Sequence, residues 1–75
     1  MIQSILIPKA NYTLAAAKKW LKDRGHEIVF EGKQVHETKD YYRFRQAEPK
    51  KKYNYRIIKI PKSKGIKFIV GFEKK

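Results

Sequence analysis

Two His-Glu dipeptides, His26-Glu27 and His36-Glu37, are where acid–base or metal chemistry would first be sought in this chain. Neither has a third ligand at a recognisable metal-site spacing. His26 also follows what reads as a helix C-terminus, where a histidine is ordinary. A small ribonuclease needs little more than a base beside a charge stabiliser, so one histidine among lysines is the enzymatic option that the residues leave open. With no paired acid, and no nucleophile placed beside a base, it ranks last, and no catalytic residue is assigned. The chain has no cysteine, which excludes thiol catalysis, Cys-ligated zinc and disulfides. Gly25, Gly32, Gly65 and Gly71 are scattered singly and form no phosphate-binding loop. No metal, cofactor or small-molecule substrate is expected.

The other chemistry on offer is the binding of a polyanion. From Lys39 to Lys75 there are 13 Lys/Arg against 3 Asp/Glu, a net of +10, whereas Met1 to Thr38 carries 6 against 4, a net of +2. The basic half is also the aromatic half: Tyr41-Tyr42-Arg43-Phe44-Arg45, then Lys50-Lys51-Lys52-Tyr53-Asn54-Tyr55-Arg56. Cations neutralise phosphates, and exposed tyrosines stack on bases or pack along sugars. Charge of this density in a small domain repels itself unless a partner compensates it. The candidate binding residues are Arg43, Arg45, Lys50, Lys51, Lys52, Arg56, Lys59, Lys62 and Lys64, with Tyr41, Tyr53 and Tyr55 as stacking groups. The lysine triplet after Pro49 would act as a phosphate clamp; it also loosely matches a nuclear-localisation pattern.

Seventy-five residues bound the chain to one small domain, 1–75, and the 41% hydrophobic content with ten aromatics is too rich for a disordered tail. Ile2–Ile7 reads as a strand closed by Pro8. Its short apolar run suggests neither a secretion signal nor a membrane span. Leu14–Arg24 reads as an amphipathic helix with Leu14, Ala17 and Leu21 on one face, Asn11 or Thr13 as N-cap and Gly25 at the left-handed C′ position. Trp20 beside that face is expected in the core. Short strands are expected at Glu27–Phe30 and, more weakly, near Gln34–Thr38, around a turn at Glu31-Gly32-Lys33. Tyr41–Gln46 alternates Tyr41, Arg43 and Arg45 against Tyr42, Phe44 and Gln46. Tyr53–Ile60 and Ile66–Phe72 should pair as an antiparallel hairpin around Pro61–Gly65, with Phe44, Phe68 and Phe72 turned inward. The fold class is therefore α+β, one amphipathic helix packed on a small, mostly antiparallel sheet of four to five strands.

Two blocks carry a resemblance. Thr13-Leu14-Ala15-Ala16-Ala17-Lys18-Lys19-Trp20-Leu21-Lys22, followed by Glu37-Thr38-Lys39-Asp40-Tyr41-Tyr42-Arg43-Phe44-Arg45-Gln46 after an opening strand like Ile2–Pro8, resembles a small domain of phages and large DNA viruses. It resembles more closely a small, basic, abundant virion protein of marseillevirus-like giant viruses, over roughly residues 2–46. The resemblance implies a packaged protein associated with DNA or with the capsid, in the virion or the viral factory, rather than an enzyme. It carries over no catalytic residues.

The expectation is a nucleic-acid-binding protein, DNA favoured over RNA, that grips backbone phosphates with little sequence selectivity. The alternative is a structural capsid or scaffold component working through homodimer or other protein contacts, by strand edges or packed faces.

Overall fold

In a computed structural model, which describes residues 1–29, 35–48 and 50–74, the chain forms one helix and five antiparallel strands. The strands are β1 (Ile2–Pro8), β2 (His36–Glu37), β3 (Tyr41–Arg45), β4 (Tyr53–Lys59) and β5 (Lys67–Glu73), and the helix α1 (Leu14–Asp23) follows β1. The sheet order is β2-β3-β1-β5-β4, so the first strand of the chain is the central one. This is the α+β class expected. The hairpin forms with Tyr53 opposite Glu73 and Lys59 opposite Lys67.

The ends of α1 follow from local chemistry. Thr13 is the N-cap, and its hydroxyl accepts from the Ala16 N–H at 3.2 Å. At the other end the His26 N–H donates to the Leu21 carbonyl (2.9 Å) and the Gly25 N–H to the Lys22 carbonyl (3.2 Å). That is a Schellman motif, which needs the left-handed φ of 73° that Gly25 supplies. The other N-cap candidate, Asn11, is used elsewhere: its Nδ2 donates to the Lys64 carbonyl at 2.7 Å.

The helix lies on one face of the sheet. Ala17 and Leu21 are fully buried there against Ile5, Ile7, Phe44 and Ile66, with Leu14, Trp20, Tyr42 and Phe68 packed around them. Trp20 is a half-buried flank of this core rather than its centre; Arg24 lies 4.3 Å over its ring and His26 stacks beside it. Phe68 meets both Trp20 and His26 edge-on. Phe72 departs from expectation. Register puts it on the helix side opposite Asn54, yet it is 47% exposed. A ten-residue helix is only about 15 Å long, and the end of β5 lies beyond its cover.

No strand forms at Glu27–Val29, contrary to expectation, and Phe30, Glu31, Gly32, Lys33 and Gln34 lie outside the described residues. The backbone of Glu27 is satisfied by a side chain instead: its N–H donates to Gln46 Oε1 (2.7 Å) and its carbonyl accepts from Gln46 Nε2 (2.8 Å). The weak extended segment appears as the two-residue β2.

In β1, strict alternation would put Gln3 on the side of Ile5 and Ile7. A bulge prevents this: Ile2 faces Val70 and Ser4 faces Ile69, so β1 holds one residue more than β5. The side chains of Gln3 and Ser4 meet on the face away from the helix, where Ser4 Oγ donates to Gln3 Oε1 at 2.6 Å.

Candidate functional site

The face of the sheet opposite the helix collects half of the twelve residues singled out above: Tyr41, Arg43, Arg45, Tyr53, Tyr55 and Lys59. Cross-strand register fixes its rows. One row runs His36, Arg43, Leu6, Lys67 and Lys59, and the next runs Arg45, Ser4, Ile69 and Ile57. Tyr55 opposite Gly71 and Tyr53 opposite Glu73 complete the face toward one end. Tyr41 stands at the other end, with Lys67 Nζ 5.3 Å from its ring centroid. Five strands at a spacing of about 4.8 Å make this surface roughly 19 Å wide.

Its charge is largely uncompensated. Lys59 and Lys67 are directly opposed across β4 and β5, a like-charge pair that weakens a sheet. Among the described residues the single salt bridge is Lys9 to Glu37 (3.2 Å), and it involves none of these cations.

Arg43 is the best anchored of them. Its Nε donates to Ser4 Oγ (3.2 Å) and its Nη2 to Gln3 Oε1 (3.2 Å). Gln3 is itself fixed by donation from Nε2 to the Ala47 carbonyl at 3.1 Å. Ser4 and Gln3 are only 0% and 2% exposed, so a buried polar pair holds the guanidinium from below. Beside it, Gln3, Arg43, Tyr55 and Ile69 line a hollow of ≈ 230 Å³. Ala47 and Lys50 each make one contact at this end of the face: the Ala47 carbonyl accepts from the Gln3 amide, and the Tyr55 hydroxyl accepts from the Lys50 N–H at 2.7 Å.

The remaining candidates sit around this surface. Lys50, Lys51 and Lys52 are exposed at the start of β4, and Lys52 Nζ lies 5.2 Å from the Tyr53 ring centroid; Pro49 lies outside the described residues. Lys62 and Lys64 are exposed in the β4–β5 loop, both in left-handed conformations (φ 58° and 56°). That loop is anchored from beneath. Ser63 Oγ donates to the Ile60 carbonyl (2.6 Å) and accepts from the Ile66 N–H (3.1 Å), and Tyr12 donates to the Ser63 carbonyl (2.8 Å). Arg56 does not join the open face. It stands opposite Val70 on the helix side, its guanidinium 5.9 Å from the Phe72 ring centroid.

Sequence reasoning missed Lys67, Gln3 and Ser4. Lys67 was within reach, because alternation against Phe68 and Val70 puts it on the face of Arg43. Gln3 was not, because only the bulge turns it there.

Among the described residues no three His, Asp or Glu side chains are grouped to hold a metal ion. His26 is engaged in the Trp20–Phe68 cluster, and Glu37 pairs with Lys9. No helix among the described residues is long and apolar enough to cross a membrane. No family model, curated protein or solved structure matches this chain.

Proposed function

We propose that this chain is a nucleic-acid-binding protein, with DNA the favoured partner, that holds backbone phosphates on the open face of its sheet. The observation that carries this is the gathering of Arg43, Arg45, Lys59 and Lys67 on one face with Tyr41, Tyr53 and Tyr55. Opposing Lys59 to Lys67 weakens the sheet, and an anionic ligand relieves that repulsion. Lysines on flexible stems suit phosphates as point charges, whatever the sequence. No bond-making step is assigned to the face, and the protein acts as a binder rather than an enzyme. The resemblance to small virion proteins supports a place on a packaged genome.

Fluorescence anisotropy against labelled DNA across a salt series tests this. With about five phosphates neutralised, log K falls against log salt with a slope of roughly −4 to −5 on duplex. Absence of binding at low ionic strength sinks the proposal.

A second reading, a capsid or scaffold component that self-associates, has one observation in its favour. Ile57 and Ile58 are 63% and 41% exposed on β4, an edge strand. Light scattering over a concentration series separates the two: a dimer that persists when Lys50, Lys51 and Lys52 are changed to Glu supports self-association independent of charge.

A further inference from the structure

We infer that the hollow lined by Gln3, Arg43, Tyr55 and Ile69 receives one unpaired nucleobase, so that the open face takes single-stranded nucleic acid in preference to duplex. This rests on the nucleic-acid reading above and adds which form of the polymer is bound.

The first ground is size and lining. At ≈ 230 Å³ the hollow falls below the roughly 300–1,000 Å³ of sites that enclose whole small molecules. Its walls are an aromatic ring, a branched aliphatic chain, an amide and a guanidinium, which is the mixture that a planar heterocycle with polar edges requires. A phosphate alone gains nothing from Tyr55 or Ile69.

The second ground is the form in which each polymer presents its bases. In duplex DNA the base faces are stacked inside and only edges show, in grooves that admit a helix or a two-stranded ribbon. A five-stranded sheet face enters neither groove, so against duplex it meets phosphates only. A single strand can splay a base out onto an aromatic side chain while its backbone follows the cations.

The third ground is preorganisation. Phosphate binding does not require a fixed arginine, yet Arg43 is held at Nε and Nη2 by a buried Ser4–Gln3 pair that is itself tied to Ala47. The bulge in β1 is what brings that pair to this face. Two donors of the guanidinium are committed in this way. The rest remain to meet a base acceptor or the adjoining phosphate. Tyr55 is fixed at both ends, its ring against Gly71 and its hydroxyl on the Lys50 N–H.

The experiment is anisotropy at one fixed salt concentration with four labelled probes of the same sequence: single-stranded DNA, single-stranded RNA, duplex DNA and duplex RNA. A polyglutamate competitor is added as a fifth arm. Wild-type protein is expected to bind at least one single strand about tenfold more tightly than the corresponding duplex. Losing one stacked base corresponds to roughly 5- to 140-fold. Tyr55→Ala should therefore weaken single-strand binding on that scale and duplex binding less than twofold. Because Tyr55→Ala can disturb the hairpin, Arg43→Lys is the second variant: it keeps the charge, loses the fork, and should narrow the single-strand preference with the salt slope unchanged. Equal affinity for single strand and duplex, or equal losses on both in these variants, overturns the inference and leaves the phosphate-binding reading intact. No binding to any nucleic acid, with polyglutamate bound instead, overturns both.

Discussion

The ring of Tyr55 rests on Gly71 so closely that a Cβ at position 71 would come within 2.9 Å of Tyr55 Cε1 and 3.3 Å of Cδ1. Even one methyl group at that point of β5 forces the ring aside. Gly71→Ala is therefore expected to lower stability by about 1–3 kcal/mol, as overpacking does. It should also displace the wall of the hollow and weaken single-strand binding. Thermal denaturation and anisotropy on the same preparation check both halves.

Changing Lys67 to Glu puts opposite charges across β4 and β5 where Lys59 and Lys67 now repel. Stability is expected to rise by roughly 0.2–1 kcal/mol. Nucleic-acid affinity should fall, with a salt slope smaller by about 1. A stabilised protein that binds less well is the signature of a charge kept for a ligand; a urea titration beside a salt series reads it out.

Lys62 and Lys64 hold left-handed backbone that glycine adopts freely. Replacing either by Gly relieves roughly 1 kcal/mol of backbone strain, less what the freer unfolded chain takes back. The net gain is then about 0–0.6 kcal/mol, and the melting temperature should rise by no more than about 5 °C. Affinity for DNA at low salt should drop because a cation is gone.

Thr13→Ala removes the cap on α1 and is expected to destabilise by about 1 kcal/mol. The helix lies on the face away from Arg43 and Tyr55, so affinity measured well below the melting temperature should not change. A loss of affinity equal to that of Tyr55→Ala would show that the helix side contributes to the interface.

Much of this architecture was legible in the sequence because local signals agreed with one another. Leu14, Ala17 and Leu21 gave the helix its buried face, Thr13 and Gly25 its ends, and the alternation from Tyr41 to Arg45 separated Phe44 from the arginines. What could not be read depended on distant partners. Gln46 supplies the hydrogen bonds that a strand at Glu27 would have needed. Phe72 lies past the reach of a short helix, so its apolar character did not ensure burial. Arg56, by contrast, was within reach: it belongs to a basic-aromatic run that alternation along β4 divides between two faces, and it falls on the helix side. The candidate surface was thus visible as composition, while the bulge at Gln3 that organises its centre was not.

The placement of β1 in the middle of the sheet also governs how the domain is made. Ile5 and Ile7 leave the ribosome before the other strands of the sheet, but β1 gains its second neighbour only when residues 67–73 have followed. The pairing of Ile5 with Phe68 spans nearly the whole chain, and such non-local closure is slow compared with forming α1 or the β4–β5 hairpin. Until then the most apolar strand stays open on one edge in a strongly basic nascent chain. A ligand that engages β3, β1 and β5 together would add its binding energy to that last closure, and so act as a folding template as well as cargo.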